Sequence, residues 1–207
     1  MRRLLVIACL FLATPAAAQL VVPLTTADGR VACTQGMTGI GRAVVWQAIA
    51  DPGALGGFAL AETAGDATDL RFPLCISERT VARDVDATLR FKLVSGTHAR
   101  AAGLVLRAQS ANDYYVVRAS GLDGSVRLYR VQRGRRSQIA TKEVEIKSGE
   151  WHVLRVVLIN DRFEVSLDGT PLFEATDRSL IQGGAVGVWS QADSVTHFGS
   201  LLVAPAR

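Results

Sequence analysis

The stretch AGLVLRAQSANDYYVVRASGLDGSVRLYRV, residues 102–131, decides the fold class of this chain. Its apolar residues recur at every second position within short runs, and the polar segments SAND and GLDG separate the runs. Period two is the pattern of a β-strand that buries one face. The stretch therefore predicts three consecutive strands joined by tight turns.

The same pattern extends outward from about Val44 to Val203. Asn160-Asp161 and Asp168-Gly169 stand between alternating runs and are typical of hairpin turns. No window of useful length has helical periodicity. Roughly ten to twelve short strands without a long helix predict an all-β fold, a two-sheet antiparallel β-sandwich. We expect residues 44–207 to form this sandwich as one domain.

The first residues have the three parts of a secretory signal. Arg2 and Arg3 are basic, an apolar run follows, and Ala16-Ala17-Ala18 offers a small-residue cleavage site. We predict a signal peptide at residues 1–18, an irregular lead-in at residues 19–43, and a periplasmic or secreted protein. The apolar run is shorter than the roughly 20 residues of a spanning helix, as is every later one, so no membrane span is predicted.

Charge and cysteines narrow the function classes. The chain holds 23 Lys and Arg against 19 Asp and Glu, and its net charge of +4 falls once Arg2 and Arg3 leave with the signal. So balanced a charge, together with export, disfavours nucleic acid as a partner.

Two cysteines, Cys33 and Cys75, remain after the signal peptide is removed. In an oxidising compartment they predict one disulfide. A reactive or metal-binding pair is the alternative, but no histidine cluster or Cys-x-x-Cys motif accompanies it.

Strand alternation predicts a polar and aromatic sheet face. In the opening stretch Leu104, Leu106, Val117 and Leu128 fall on the apolar side, and Arg and Tyr residues fall on the other. Guanidinium groups and phenol rings suit sugar hydroxyls and sugar carboxylates. The alternative is an ordinary amphipathic face, on which Arg and Tyr pair across strands and cover apolar neighbours. The predicted ligand-binding residues are Arg107, Tyr114, Arg118, Arg127, Tyr129, Trp189 and His197.

Catalytic and metal-binding signatures are weak. Glu143 and Glu145 are the nearest approach to the paired carboxyls of a glycosidase, but flanking lysines favour a solvated sheet edge. There is no Gly-x-Ser-x-Gly or His-Glu-x-x-His motif. Asp123 and Asp168 precede glycines, so turn formation explains them without calcium. We predict no cofactor, a structural calcium ion being possible without a specific signal. The basic run at residues 133–136 is interpreted as a solvated hairpin tip, with contact to an anionic polysaccharide or a membrane surface as the alternative.

A family resemblance agrees with this interpretation. The resemblance rests on short segments whose order along the chain matches the family. These segments are Arg71-Phe72-Pro73-Leu74, GLVLR at 103–107, NDYYVVRA at 112–119, VRLY at 126–129, GEWHVLR at 149–155, LDG at 167–169, and the segment from Gly184 to Trp189 followed by Phe198. In this order they resemble the concanavalin A-like lectin/glucanase jelly roll, near bacterial exported proteins of the 3-keto-disaccharide hydrolase type and laminin-G-like modules. The resemblance implies a jelly-roll fold. Gly199 stands where such proteins often carry Asp, which weakens the transfer of an acid or metal site.

The sequence leaves three functions open. The preferred one is an exported non-catalytic domain that binds carbohydrate or a cell-envelope polysaccharide through the Arg/Tyr face. The second, implied by the resemblance, is a glycoside or 3-keto-sugar hydrolase that gathers Asp113, Glu164 or Asp193 from separate strands. The third is an envelope protein–protein interaction module, which would expose a flat apolar patch.

Overall fold

The computed structural model describes residues 19–206, so the predicted signal peptide at residues 1–18 lies outside the described residues. Strands dominate this part of the chain, interrupted by a short 3-10 turn at Leu55–Gly57. The strands are β1 (Leu20–Val22), β2 (Thr34–Gly39), β3 (Trp46–Ala50), β4 (Phe58–Glu62), β5 (Arg71–Ala82), β6 (Val85–Ser95), β7 (Ala101–Ser110), β8 (Asp113–Ser120), β9 (Ser125–Gln132), β10 (Arg135–Glu143), β11 (Trp151–Ile159), β12 (Arg162–Leu167), β13 (Thr170–Thr176), β14 (Gly184–Trp189) and β15 (Val195–Pro205).

The strands form two antiparallel sheets. The eight-stranded sheet has the order β13-β12-β11-β6-β15-β4-β3, with β1 pairing alongside β15. The seven-stranded sheet has the order β10-β9-β8-β7-β14-β5-β2. Consecutive strands such as β7, β8, β9 and β10 are hairpin neighbours, as the turn signals predicted. The predicted all-β, two-sheet antiparallel sandwich is confirmed.

The lead-in at residues 19–43 differs from the expectation that it is irregular. Its strand β1 pairs with β15, and its strand β2 pairs with β5 on the edge of the seven-stranded sheet. LVV is too short to show a period of two, and TQGMTG is short and contains two glycines.

The predicted disulfide is confirmed, since Cys33 and Cys75 are bonded with their Cα atoms 5.4 Å apart. It ties the lead-in to β5.

The main core lies between the sheets, where both inward faces are apolar. Leu89 and Phe91 of β6 face Leu104 of β7 and Leu128 of β9, and all four are fully buried. Burial of apolar area at about 25 cal/mol per Å² is the main source of stability in such a sandwich. Trp46 also belongs to this core.

A buried ion pair joins the two sheets. Arg71 of β5 and Glu62 of β4 lie in different sheets, and their side chains are almost completely buried. Arg71 Nη1 donates to Glu62 Oε2 at 3.0 Å, and Arg71 Nη2 donates to Glu62 Oε1 at 2.8 Å. Further guanidinium N–H groups reach the backbone carbonyls of Arg42 and Ala192. A charge this deeply buried needs such a complete set of partners.

The outer face of the seven-stranded sheet holds a second apolar cluster. The β7–β8 hairpin reaches back over β2, where Thr38 Oγ1 donates to the carbonyl of Ala111 at 2.5 Å. The same hydroxyl lies 2.8 Å from the Tyr114 hydroxyl. The sheet thus curls around its own outer face and encloses side chains that a flat sheet would expose. The enclosed residues are Phe72, Leu74, Ala101, Val105, Ala108, Tyr114, Val116, Tyr129, Val131, Ala185 and Trp189.

Candidate ligand-binding site

Four of the predicted site residues share the outer face of the β8–β9 hairpin. Arg118 stands directly opposite Arg127 in the ladder, Tyr129 is opposite Val116, and Tyr114 is opposite Val131. Because successive side chains on a strand point to opposite faces, this register directs Tyr114, Arg118, Arg127 and Tyr129 to one side. The register of this hairpin agrees with the alternation in the sequence.

Trp189 lies on the same face but presents no free ring to a ligand. It is fully buried and stacks on Phe72 at a centroid distance of 5.5 Å and an interplanar angle of 16°. Tyr114 is also fully buried, and burial raises its pKa to about 12. The two side chains therefore form the floor of the site. The expectation that Trp189 provides a stacking platform for a sugar ring is wrong for this conformation.

Arg107 does not belong to this face, contrary to the sequence prediction. Its backbone has φ of +49°, and the β7–β8 register shifts between Leu106 and Ser110. Such a bulge reverses the direction of a side chain relative to strict alternation. The guanidinium is buried and donates to the carbonyls of Arg83, Leu180 and Asn160 at 2.8, 3.1 and 2.6 Å. Arg107 closes one end of the sandwich.

His197 is also placed elsewhere, because β15 belongs to the eight-stranded sheet. Its Nδ1 lies 2.7 Å from Asp51 Oδ2, and Lys92 Nζ donates to the same oxygen at 2.5 Å. Burial opposes ionisation of Asp51, but the hydrogen bonds from Lys92 and His197 outweigh it and lower the pKa of Asp51 to about 2. Asp193 accepts the backbone N–H groups of Thr97, His98 and Ala99.

One carboxylate bridges the two opposed arginines. Arg118 Nη1 donates to Asp123 Oδ2 at 3.0 Å, and Arg127 Nη2 lies 3.3 Å from the same oxygen. Ser125 donates its hydroxyl to the other oxygen, Oδ1. Although burial opposes it, these contacts keep the pKa of Asp123 below its ordinary value. Asp123, expected from the sequence to be a turn residue only, also holds the two guanidinium groups in place.

Arg136 is a residue of this face that the sequence pattern did not indicate. Its guanidinium carbon lies 4.6 Å from the ring centroid of Phe72 and 4.6 Å from that of Tyr129. The run at residues 133–136 is not wholly a solvated tip as expected, since β10 begins at Arg135, and Arg136 pairs with the outward-facing Val131. A two-residue hairpin turn at Arg133-Gly134 pairs Arg136 with Val131, so the turn together with the period of two in β9 would have placed Arg136 on this face.

Several N–H groups of this face are buried without a hydrogen-bond partner. They include Arg118 Nε, Arg127 Nε and Arg136 Nη1, and we call these three residues the arginine cluster. An unpartnered buried donor costs about 1–3 kcal/mol, so native proteins leave few of them. Three such donors lie on this one face.

The acids considered for catalysis are not brought together. Asp113 accepts from Arg133 N and Ser110 Oγ within its hairpin, Glu164 lies on the outer face of the eight-stranded sheet beside Arg162, and Asp193 caps a loop. Glu143 and Glu145 are exposed. Within residues 19–206, no group of three His, Cys, Asp or Glu side chains could hold a metal ion.

No helix within residues 19–206 is long and apolar enough to cross a membrane.

Solved structures with the same fold include several bacterial proteins. The carbohydrate-binding module CBM66 from Bacillus subtilis superposes with a TM-score of 0.65 at 19% identity, covering 82% of this chain and 95% of that one. A Bacillus subtilis protein of unknown function with a galectin-like fold gives 0.59 at 12% identity, over 84% and 90% of the two chains. Domain 4 of AbnA, a GH43 extracellular arabinanase from Geobacillus stearothermophilus in complex with arabinotriose, gives 0.55 at 14% identity, over 83% and 82%.

These likenesses show the fold, a jelly-roll β-sandwich of the type found in concanavalin A-like lectins, which the sequence resemblance had implied. No protein-family model matches the sequence, and no curated protein does.

Proposed function

We propose that this protein is an exported, non-catalytic jelly-roll domain that binds carbohydrate, such as a cell-envelope glycan, on the outer face of its seven-stranded sheet. The contact residues are Arg118, Arg127 and Arg136, and Tyr114, Tyr129 and Trp189 support them from below. The observation that carries this proposal is the set of buried, unpartnered guanidinium N–H groups on one sheet face. Sugars supply closely spaced oxygen acceptors that such donors can bind.

The fold supports the same proposal. Two of the structurally similar proteins, CBM66 and the arabinotriose-bound arabinanase domain, are carbohydrate binders by name or by their bound ligand. Because a fold hosts many functions, this likeness only raises the expectation, and the residues of the site carry the proposal.

The disulfide supports export. Structural disulfides such as Cys33–Cys75 form and persist in oxidising compartments, and these include the periplasm and the extracellular space. An extracellular or periplasmic location would also give the protein access to cell-envelope polysaccharides.

The test is a glycan-array screen of the purified protein, followed by calorimetric titration of each glycan that binds. We expect Arg127→Gln to weaken binding about tenfold or more, because it removes charge-assisted hydrogen bonds while leaving a partly exposed side chain. Arg155→Gln is the matched control, since Arg155 lies exposed on the outer face of the opposite sheet and pairs with Asp86. No glycan bound, or equal affinity of the Arg127→Gln variant and the wild type, would contradict the proposal.

A further inference from the structure

The arginine cluster carries more positive than negative charge. Asp123 is the carboxylate in contact with it, and that one group bridges Arg118 and Arg127. Glu143 is exposed and adds a more distant negative charge near Arg127. One carboxylate therefore pairs with two of the three guanidinium groups, and the face has an excess of positive charge in a partly dehydrated environment.

One edge of the Arg118 guanidinium makes no hydrogen bond among the described residues, and its Nε is buried. Its side chain is 8% exposed and makes its hydrogen bond to Asp123 through Nη1. Among the described residues, neither Nε nor Nη2 of Arg118 donates to an acceptor. These two N–H groups form one side of the planar guanidinium fork, whose spacing matches the two oxygens of a carboxylate.

Arg136 has no counterion among the described residues. Its guanidinium lies between the rings of Phe72 and Tyr129, and its Nη1 is buried without a partner. Burial lowers the pKa of Arg136 below its ordinary value, and the positive charges of Arg118 and Arg127 act in the same direction. A guanidinium nevertheless stays protonated in proteins, so the cation persists and an added anion would relieve the repulsion.

We infer that the group received by the arginine cluster is the carboxylate of an acidic sugar, a uronate, bound by the free edge of Arg118 and flanked by Arg127 and Arg136. This inference rests on the proposed carbohydrate-binding function and makes it more specific. A neutral sugar would satisfy the unpartnered N–H groups but would leave the excess charge unbalanced. A planar carboxylate does both, because it accepts two parallel hydrogen bonds and carries the missing charge.

The test compares uronate oligosaccharides with neutral oligosaccharides of the same length and linkage, titrated calorimetrically at low and high salt. We expect the uronate chains to bind about tenfold or more tightly, with an affinity that falls as salt rises. Arg127→Gln should remove much of this preference, and Arg127→Lys should keep part of it, because Lys retains the flanking positive charge. Arg155→Gln should keep both the preference and the salt dependence.

The outcomes distinguish failure of the acidic-sugar assignment from failure of the binding function. Equal binding of uronate and neutral chains, both weakened by Arg127→Gln, would overturn the acidic-sugar assignment and leave the carbohydrate-binding function standing. Binding of sulfated but not uronate chains would likewise overturn the carboxylate assignment. Binding of none of the glycans, neutral or acidic, would overturn both proposals.

Discussion

Arg118 and Arg127 stand directly opposite each other on neighbouring strands, at a pairing position where like charges destabilise a sheet. One carboxylate, that of Asp123, bridges them. An Arg and a Glu at these positions would satisfy each other, as the diagonal cross-strand neighbours Arg155 and Asp86 do on the other sheet. The opposed arginines therefore fit a role in binding better than a role in stability.

The first prediction concerns that bridge. Asp123→Asn should lower the free energy of unfolding by about 1 kcal/mol, because it leaves two facing guanidinium groups without an anion. Urea unfolding at low and high salt measures this, and the loss should shrink at high salt, where the repulsion is screened.

The matched control is the same substitution in an Arg127→Gln background. There the repulsion is already absent, so Asp123→Asn should cost less than it does in the wild type. An equal loss in both backgrounds would show that Asp123 acts only as a turn residue.

The second prediction separates Arg107 from the binding site. Arg107→Met keeps the apolar stem but leaves the carbonyls of Arg83, Leu180 and Asn160 without their donors. We expect a loss of about 3 kcal/mol in unfolding free energy, at about 1 kcal/mol for each hydrogen bond. Glycan affinity should be unchanged at a temperature where the variant is folded. A variant with normal stability but lost binding would return Arg107 to the set of ligand contacts.

Strand alternation predicted the face of Arg118, Arg127 and Tyr129, because regular hairpins preserve a period of two along the chain. It failed at Arg107, where a bulge formed without glycine or proline, so the sequence carried no local signal. The sequence also did not show that His197 lies on the opposite sheet. The alternation of apolar residues shows which face of a strand is buried, but it does not show to which sheet the strand belongs.

The curvature of the seven-stranded sheet could not be predicted from the sequence either. The contact between Thr38 of β2 and Tyr114 of β8 joins residues that are far apart along the chain. Their pairing depends on how strongly the strands between them in the sheet bend, which no local pattern records. The burial of Trp189 and the position of Arg136 over Phe72 follow from that curvature.

The third prediction addresses the ion pair between the sheets. Glu62→Gln preserves the shape of the side chain but leaves the buried charge of Arg71 without its carboxylate. We expect a loss of about 3–5 kcal/mol in unfolding free energy, the usual cost of removing one member of a buried pair. Glu164→Gln is the control, since Glu164 is half exposed beside Arg162 and its loss should cost less than about 0.5 kcal/mol. A Glu62→Gln variant as stable as the control would mean that Arg71 finds another partner.

The last prediction uses the ionisation of Tyr114 to test whether the outer face is enclosed in solution. Burial raises its pKa to about 12, whereas an unfolded tyrosine titrates near 10. A group that holds its proton more tightly when folded stabilises the protein below its unfolded pKa, and that contribution is lost as pH rises from about 10 to about 12.

Ultraviolet absorbance during alkaline titration measures the ionisation of the tyrosines. Urea unfolding between about pH 9 and about pH 11, a range that brackets the unfolded tyrosine pKa of about 10, measures the change in stability. Tyr114→Phe should remove one tyrosine from the late absorbance step and make the decline of stability with pH shallower. It should cost about 1 kcal/mol at neutral pH, because the hydrogen bond to Thr38 is lost while Thr38 keeps its bond to Ala111. If Tyr114 instead ionised near its ordinary pKa in the folded protein, the hairpin would stand open, and Trp189 would be available to stack on a sugar.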